Sequence, residues 1–389
     1  MMKNSLIALA VLTACSSAAS AQSSVTIYGA LDDAMVYSNN QGGKTNLYMR
    51  TGNLAASKIG FKGAEDLGGG TQAIFTLENG FDINSGAMSS ANTLFNRQSF
   101  VGLTNASTGG LTVGRQYTPY FLYVGAIGPT SVLTGATGAH PGDVDGLDTT
   151  VRISNSLSYA SPVFGGAQLS LLYGLGGTAG SVSTGSAVSA ALKYTVNTWN
   201  YALGYQRLTN GSGAGSTWNS TASGSFQTSA INNGYVSANH VQMIAAAVQH
   251  SFGNFMLGAN ATNAQYRPGA GSLFAQTASF DSLGVIGSYQ ATPAVFLSAG
   301  YSYTKEASAN GITDPASYQQ ISLKQSYALS KRSTIYLLQA YQRASGQTLG
   351  KAGTGSIVDA VAVVGDSQTG APSSGPSQAV IMLGICHLF

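Results

Sequence analysis

Residues 57–83 read SKIGFKGAEDLGGGTQAIFTLENGFDI, which predicts two strands joined by a Gly-rich polar turn. Ile59 and Phe61 share one face of the first strand, whereas Lys58 and Lys62 share the other. The second strand alternates apolar and polar residues in the same way. A period of two is typical of strands with one apolar and one polar face. The stretch therefore predicts a hairpin in a sheet whose two faces meet different surroundings.

The composition points away from an ordinary soluble domain. The chain has 389 residues, of which 44% are hydrophobic and only 8% are charged, whereas soluble domains have about 25% charged residues. It contains 50 glycines, 20 tyrosines and 9 prolines, which suits many strands, turns and aromatic belts. The net charge of +3 is spread without basic runs, which argues against nucleic-acid binding.

Residues 1–21 are predicted to be a signal peptide, and residues 22–389 the mature domain. Lys3 precedes an apolar segment at 6–14, and the small residues 19–21 form a cleavage site. Loss of Lys3 lowers the net charge from +3 to +2. The residues at 12–15, LTAC, also resemble a lipoprotein processing site, so processing at Cys15 stays open as an alternative. Cleavage after residue 21 removes Cys15 and leaves Cys386 alone, so no intramolecular disulfide is expected.

After the signal peptide, no run of about 18 apolar residues occurs, so no membrane-spanning helix is expected. A chain that crosses a membrane without helices must form a closed β-barrel, because lipid satisfies no backbone hydrogen bonds. We predict an all-β fold, a transmembrane antiparallel barrel of 16 strands, with short turns at one end and long loops at the other. The predicted strands lie near 24–36, 53–63, 71–83, 95–104, 109–117, 151–160, 166–174, 187–196, 199–207, 242–252, 254–264, 280–290, 294–304, 317–328, 332–343 and 378–389.

The connections between these strands separate by length. The short ones are 64–70, 105–108, 161–165, 197–198, 253, 291–293 and 329–331. The long ones are 37–52, 84–94, 118–150, 175–186, 208–241, 265–279, 305–316 and 344–377. Tyrosines near strand ends, such as Tyr28 and Tyr159, are expected to form belts at the membrane interfaces.

Several motifs resemble those of the beta-proteobacterial general porins: SSVTIYGALD, SKIGFKGAEDLGGG, FNRQSFVGL, VGRQYTPY, VRISNSLSYASP and the terminal Phe389. The likeness extends over the whole mature chain. It implies a homotrimer in the outer membrane of a Gram-negative bacterium, with periplasmic turns, extracellular loops and the third long loop, 118–150, folded into the lumen as a constriction. It also implies that the last strand and Phe389 act as the signal read by the barrel-assembly machinery.

A pore sorts solutes by its width and by the charges that face the narrowest section. Asp143, Asp145 and Asp148 in loop 118–150 resemble the acidic constriction loop of this family. Lys58 and Arg152 are expected on the opposing wall, because each shares strand parity with polar neighbours.

Arg115 is the third candidate on the opposing wall, and three further residues are weaker candidates for the solute path. Arg115 has the parity of outward residues, so we expect the pleat to end there and its side chain to turn inward. Arg97 shows the same conflict and is a weaker candidate near the rim. Glu78 and Asp32 are lumenal by parity and are also weaker candidates.

The four histidines are scattered, without metal-ligand spacing, and His240 and His250 are expected at the surface. No nucleophile motif occurs, so neither an enzyme, nor a cofactor, nor a metal site is expected. The favoured function is a passive, water-filled channel for small hydrophilic solutes and ions, with a mild anion preference. Two alternatives stay open: a channel specific for an anion or a sugar, and a non-conducting adhesion or structural barrel.

Overall fold

The computed structural model describes residues 24–149, 151–213, 215–219, 229–366 and 372–389. The predicted signal peptide, 1–21, and the alternative processing site at Cys15 lie outside these residues. Within them, no helix is both long and apolar enough to cross a lipid bilayer. The strands are β1 (Ser24–Gln41), β2 (Lys44–Thr51), β3 (Lys58–Gly68), β4 (Thr71–Gly80), β5 (Gln98–Asn105), β6 (Gly109–Tyr117), β7 (Arg152–Ala160), β8 (Ala167–Gly174), β9 (Ala187–Val196), β10 (Trp199–Thr209), β11 (His240–Phe252), β12 (Phe255–Arg267), β13 (Ala278–Gln290), β14 (Val295–Glu306), β15 (Ser317–Ala328), β16 (Ser333–Ser345), β17 (Gln347–Leu349), β18 (Ile357–Asp359) and β19 (Ser377–Leu388).

The main sheet is antiparallel and closes on itself, which confirms the barrel of 16 strands. β1 pairs with β19 on one edge, with Ala30 opposite Leu388. On its other edge β1 pairs with both β2 and β3. β2 and β3 therefore occupy one position in the wall, interrupted at 52–57, so 17 strand segments fill 16 positions. The short strands β17 and β18 pair with each other in a loop.

Short turns lie at one end of the barrel and long connections at the other, as predicted, except that the predicted long loop at 37–52 is absent. The short turns lie at 69–70, 106–108, 161–166, 197–198, 253–254, 291–294 and 329–332. The opposite end carries the long connections 81–97, 118–151, 175–186, 210–239, 268–277, 307–316 and 346–376. The predicted long loop 37–52 is wrong, because β1 and β2 continue to a tight turn at Gly42 and Gly43. Both glycines have positive φ, which suits a two-residue hairpin turn.

The reason for that error is physical. Strands that extend beyond the lipid need no apolar outer face, so the polar sequence SNNQGGKTN at 38–46 reads as a loop although it is a hairpin. The predicted strand at 53–63 begins only at Lys58, since 52–57 leaves the sheet.

The outer face of the barrel is apolar, and a ladder of stacked rings borders it at the short-turn end. The rings follow one another with centroids 4.0 to 6.2 Å apart. Aromatic girdles of this kind mark the membrane interface of outer-membrane barrels. The members are Tyr194, Tyr201, Trp199, His250, Phe252, Phe255 and Tyr289. Tyr159 is 37% exposed, and its hydroxyl donates to the Thr108 carbonyl in a short turn.

The connection after β6 folds into the lumen, as the resemblance implies. It contains α1 (Pro119–Tyr123), α2 (Pro129–Leu133), α3 (Gly135–Gly138) and short 3₁₀ turns. These helices contact the inner face of strands β8 to β10 and β13 to β16. Gln320 on β15 donates to the carbonyls of Thr137 and Ala139, at 2.9 and 3.1 Å, and so holds the loop against the wall.

One half of the lumen is filled by an apolar core, which the sequence does not predict. Tyr120, Val124 and Leu147 of the inserted loop pack in one cluster with Val241 and Met243 on the inner face of β11. The connection 210–239 adds residues to the same cluster. The remaining space in the lumen therefore lies beside the opposite part of the wall. Other members of the cluster are Leu172, Ala191, Trp218, Ile231, Tyr235, Ala264, Tyr266 and Phe280.

Candidate functional site

A charged cavity of about 350 Å³ lies between the inserted loop, the interrupted wall position β2–β3 and the connection 346–376. It is the main candidate site, because four cationic and two carboxylate side chains line it together. The wall supplies Lys58, and the loop supplies Asp148, as the sequence predicts. The charged lining residues are Arg50, Lys58, Arg97, Arg152, Asp148 and Asp366.

The interruption at 52–57 shapes one side of this cavity, and Asp32 holds it in place. The carboxylate of Asp32 accepts hydrogen bonds from the backbone N–H groups of Asn53, Leu54 and Ala55, at 2.8 to 3.0 Å. It also accepts one from the Tyr336 hydroxyl at 2.6 Å. Asp32 is fully buried. Asp32 does not line the cavity, because its carboxylate is bonded to the segment that borders the cavity and to Tyr336 on β16.

Glu78 is lumenal, as its parity predicts, but it stands behind the cations instead of facing the cavity. Its Oε1 atom lies 2.8 Å from Arg97 Nε, and its Oε2 atom lies 3.6 Å from Lys58 Nζ. The Tyr28 hydroxyl donates to it at 2.9 Å. Tyr28 is thus inside the barrel, and its expected place in an interface belt is wrong. One buried carboxylate fixes the positions of two cavity cations.

Arg97 and Arg152 converge on Tyr117, the last residue of β6. Their guanidinium carbons lie 5.8 and 5.2 Å from the centre of the Tyr117 ring, a distance typical of cation–π contacts. Arg97 lies just before β5, so strand alternation does not determine where its side chain points. It lines the cavity although its parity in the sequence suggests an outward position. Arg152 lines the cavity as expected.

Arg115 has a different position from the one expected. The pairing of β6 with β7 shifts register between Gly114 and Gln116, so alternation is interrupted there, although β6 continues to Tyr117. However, the Arg115 guanidinium donates to the Asn96 carbonyl and the Ser154 hydroxyl, both at 2.8 Å. It does not line the cavity. Its bonds join the loop before β5 to β7, next to the site.

Asp143 and Asp145 do not line the cavity either. Both are buried, and their hydrogen bonds stabilise the conformation of the inserted loop. Asp143 Oδ1 accepts a hydrogen bond from the Asp148 backbone N–H at 3.0 Å. Asp145 Oδ2 lies 2.5 Å from His140 Nδ1 and accepts a hydrogen bond from Thr262 on β12 at 2.7 Å. His140 is 3% exposed. This cluster ties the loop to the far wall.

On the negative side of the cavity, Asp148 and Asp366 form a hydrogen-bonded carboxyl pair. Arg50 Nη2 contacts Asp366 Oδ1 at 3.2 Å. Burial and the neighbouring Asp366 carboxylate raise the pKa of Asp148 to about 7. The pair therefore holds one proton near neutral pH, since two close carboxylates do not readily ionise together.

The sequence gives no signal for three of these residues. Arg50 falls in a segment predicted as loop, Asp366 falls in the long connection 344–377, and Tyr117 looks like an ordinary strand end. Their proximity depends on how two distant loops fold over the same opening.

The sequence of the chain matches one known protein family over most of its length. A family model described as Gram-negative porin matches residues 8–347. The chain belongs to the Gram-negative porin family. As a member of it, this porin is located in the outer membrane of a Gram-negative bacterium.

Known porins resemble this one in sequence or in fold. An outer membrane porin protein of Bordetella pertussis is 32% identical over 235 residues, which cover 53% of this chain and 60% of the relative. Less than two thirds of that relative's own length is therefore matched.

Two solved structures share the fold. An anion-selective porin from Comamonas acidovorans has a TM-score of 0.71 at 22% identity, over 95% of this chain and all of that one. An outer membrane protein of Vibrio cholerae, solved in a trimer form, has a TM-score of 0.63 at 15% identity, over 94% of this chain and 99% of that one. At these identities the likeness concerns the fold alone.

Proposed function

We propose that this porin is a passive, water-filled channel through which small hydrophilic solutes and ions diffuse across the outer membrane. The observation that carries this proposal is the cavity, in which the cations of the wall face the carboxyl pair of two loops. Opposite charges across a narrow gap create a transverse field that acts on ions and dipolar solutes. Conduction of this kind needs no catalytic group, cofactor or energy source, and we propose no enzymatic activity.

The charges of the cavity favour a mild anion preference. Arg50, Lys58, Arg97 and Arg152 are countered by Asp148, Asp366 and the underlying Glu78. The excess of one positive charge grows to two when the carboxyl pair holds a proton. The structurally similar Comamonas porin is named as anion-selective, which agrees with this proposal.

The fold also limits the size of the permeant solutes. Because the inserted loop and the connection 210–239 fill one half of the lumen with apolar side chains, water and solutes must pass beside the wall formed by β2 to β7. We expect a conductance well below that of an open barrel with the same number of strands.

The same filling favours a second candidate, a non-conducting structural or adhesion barrel with a plugged lumen. Incorporation of the refolded porin into planar lipid bilayers separates the two. Discrete conductance steps with a reversal potential of anion-selective sign support the channel. Stable insertion without steps supports the plug. Block of the current by low micromolar amounts of one solute would favour a solute-specific channel.

Two partners are part of the proposal. We propose a homotrimer, supported by the resemblance to trimeric porins and by the trimer form of the Vibrio cholerae protein. We also propose that Phe389 takes part in recognition by the barrel-assembly machinery. Its backbone pairs with Gly29 at 3.0 and 3.1 Å, which closes the barrel, and its ring occupies the space that a side chain at Gly29 would need. Loss of outer-membrane insertion in Phe389→Ala, with retention in Phe389→Tyr, would support this role.

A further inference from the structure

A patch of cationic and amide side chains lies on the outer face of the barrel, at the long-loop end of β10 to β12. Arg207 is opposite Gln242, and His240 is opposite Arg267. Gln265 accepts hydrogen bonds from Arg267 Nη2 at 2.8 Å and from Gln242 at 3.2 Å. Both arginines are exposed. We call these five residues the outer patch.

The outer patch has no counter-ion among the residues that the structure describes. Neither Arg207 nor Arg267 takes part in any of the ion pairs found there. The sequences of β9 to β13 contain a single carboxylate, Asp281. Asp281 lies opposite Asn263 and accepts a hydrogen bond from it at 2.7 Å. The positive charge of the patch is therefore available to an external anion.

An apolar groove of about 500 Å³ lies on the same face, farther from the long-loop end. Leu203, Ala246, Ala261 and Leu283 follow one another across four strands in a single row of the register, and all four line the groove. The surface is recessed there because the small side chains of Ala246 and Ala261 lie between the larger side chains of Leu203 and Leu283. Ala246 lies four residues below Gln242 on β11, which is about 13 Å along the strand.

The depth of the outer patch matches the outer boundary of the hydrocarbon layer. On β12, ten residues separate Phe255, in the aromatic girdle, from Gln265, in the outer patch. This separation is about 33 Å along the strand, and about 25 Å along the membrane normal at a tilt of about 40°. The apolar band of an outer-membrane barrel has about this height. The patch therefore lies at the level of the headgroups in the outer leaflet, with the groove among the acyl chains.

We propose that this face binds a phosphorylated, multiply acylated glycolipid of the outer leaflet. Arg207 and Arg267 hold its phosphate groups through charge-assisted hydrogen bonds, for which the planar guanidinium is well suited. The amides of Gln242 and Gln265 provide hydrogen bonds to sugar hydroxyls, and one acyl chain occupies the groove. Charge complementarity favours this ligand over a second copy of the chain, since a copy seated on this face would cover two unpaired arginines without bringing a known counter-ion.

The test titrates the full porin in detergent with diphosphoryl lipid A and counts bound lipid by native mass spectrometry. The variants are Arg207→Gln/Arg267→Gln, which removes the charge, and Ala246→Leu/Ala261→Leu, which fills the groove. Arg332→Gln, an exposed arginine in the turn 329–332 at the opposite end, is the matched control. A heat-dependent shift in gel mobility verifies that each variant is folded.

We expect the arginine variant to weaken binding at least tenfold, the leucine variant to weaken it several-fold, and the control to leave it unchanged. Dephosphorylated lipid A is expected to bind at least tenfold more weakly than the diphosphoryl form. Equal binding by wild type and the arginine variant would overturn the proposal. So would full competition by inorganic phosphate, or occupation of the face by a second copy instead of lipid. These readouts do not depend on conduction, so this proposal and the channel proposal fail separately.

Discussion

Asp148 and Asp366 are joined by a carboxyl–carboxyl hydrogen bond that connects the inserted loop to the connection after β16. Arg50, on the wall, contacts the same pair through Asp366. The negative side of the cavity is thus assembled from two loops and held by one shared proton. Its charge, and the contact between the loops, are therefore sensitive to pH.

The first prediction concerns this pH dependence. The pKa of Asp148 is raised to about 7 by burial and by Asp366, so the pair loses a proton as the pH rises through neutrality. We expect the anion preference to be larger below pH 7 and smaller above it. Reversal potentials in a salt gradient measure this change, and Asp148→Asn should abolish it. An unchanged pH profile in that variant would show that another group is responsible.

The same shift has a consequence for the stability of the tie between the loops. A carboxyl group whose pKa is raised in the folded state binds its proton more tightly there than in the unfolded chain. Stability therefore falls as the pH rises between the ordinary value of 3.8 and about 7. Proteolysis of the connection 346–376 should be faster above pH 7 than below it, and Asp148→Asn should remove the difference.

The second prediction concerns Arg152, which lines the cavity and stacks on Tyr117. Arg152→Gln removes one of the cations that face the carboxyl pair. We expect the ratio of anion to cation permeability to fall about twofold or more, because the charges that face the narrowest section of a pore dominate its selectivity. Arg332→Gln, at the rim, should change the ratio little. An equal effect of both substitutions would mean that selectivity follows total charge instead of the cavity.

The third prediction concerns Glu78, the buried counter-ion of Arg97 and Lys58. Glu78→Gln leaves two cations without their carboxylate. Breaking a buried pair from one side costs about 3–5 kcal/mol, and the partial exposure of Lys58 places the expected loss at the lower end. Denaturant unfolding of the refolded barrel measures the loss, while the anion preference should rise. Unaltered stability would contradict the role assigned to Glu78.

Some of these charged residues could be placed from the sequence alone, whereas others could not. The alternation at Ile59 and Phe61 predicts a strand with one apolar and one polar face, and parity places Lys58 and Glu78 on the inner side, where the structure has them. The filled half of the lumen could not be predicted, because β11 is apolar on both faces. Val241 and Met243 point inward, Ile244 and Ala246 outward, so alternation carries no signal.

The cavity was only partly predictable for a related reason. Strand parity points to Lys58 and Arg152, and loop position with the family resemblance points to Asp148, whereas Arg50 and Asp366 depend on long-range packing of loops. Asp143 and Asp145 follow the same sequence pattern as Asp148. Only the fold distinguishes the three aspartates. Asp143 accepts a hydrogen bond within the loop, and Asp145 accepts one from Thr262 on β12.

The fourth prediction concerns that anchor on β12. Thr262→Val removes the hydrogen bond to the Asp145 carboxylate, at a cost of about 1.5–3 kcal/mol. We expect the inserted loop to become more mobile, so single-channel currents become noisier. Thr304→Val is a suitable control, since Thr304 is a buried threonine that bonds to Ser282 and not to the loop. Equal noise in both variants would argue against Thr262 as an anchor of the loop.

We infer that water and ions pass through the half of the lumen that contains the charged cavity. Single-channel recording in planar bilayers tests it most directly, with wild type compared to Ala56→Trp, which narrows the cavity at the edge of the wall interruption. We predict discrete, anion-selective steps for wild type and clearly smaller steps for the variant. Stable insertion without conductance, or steps of equal size in both proteins, would contradict it.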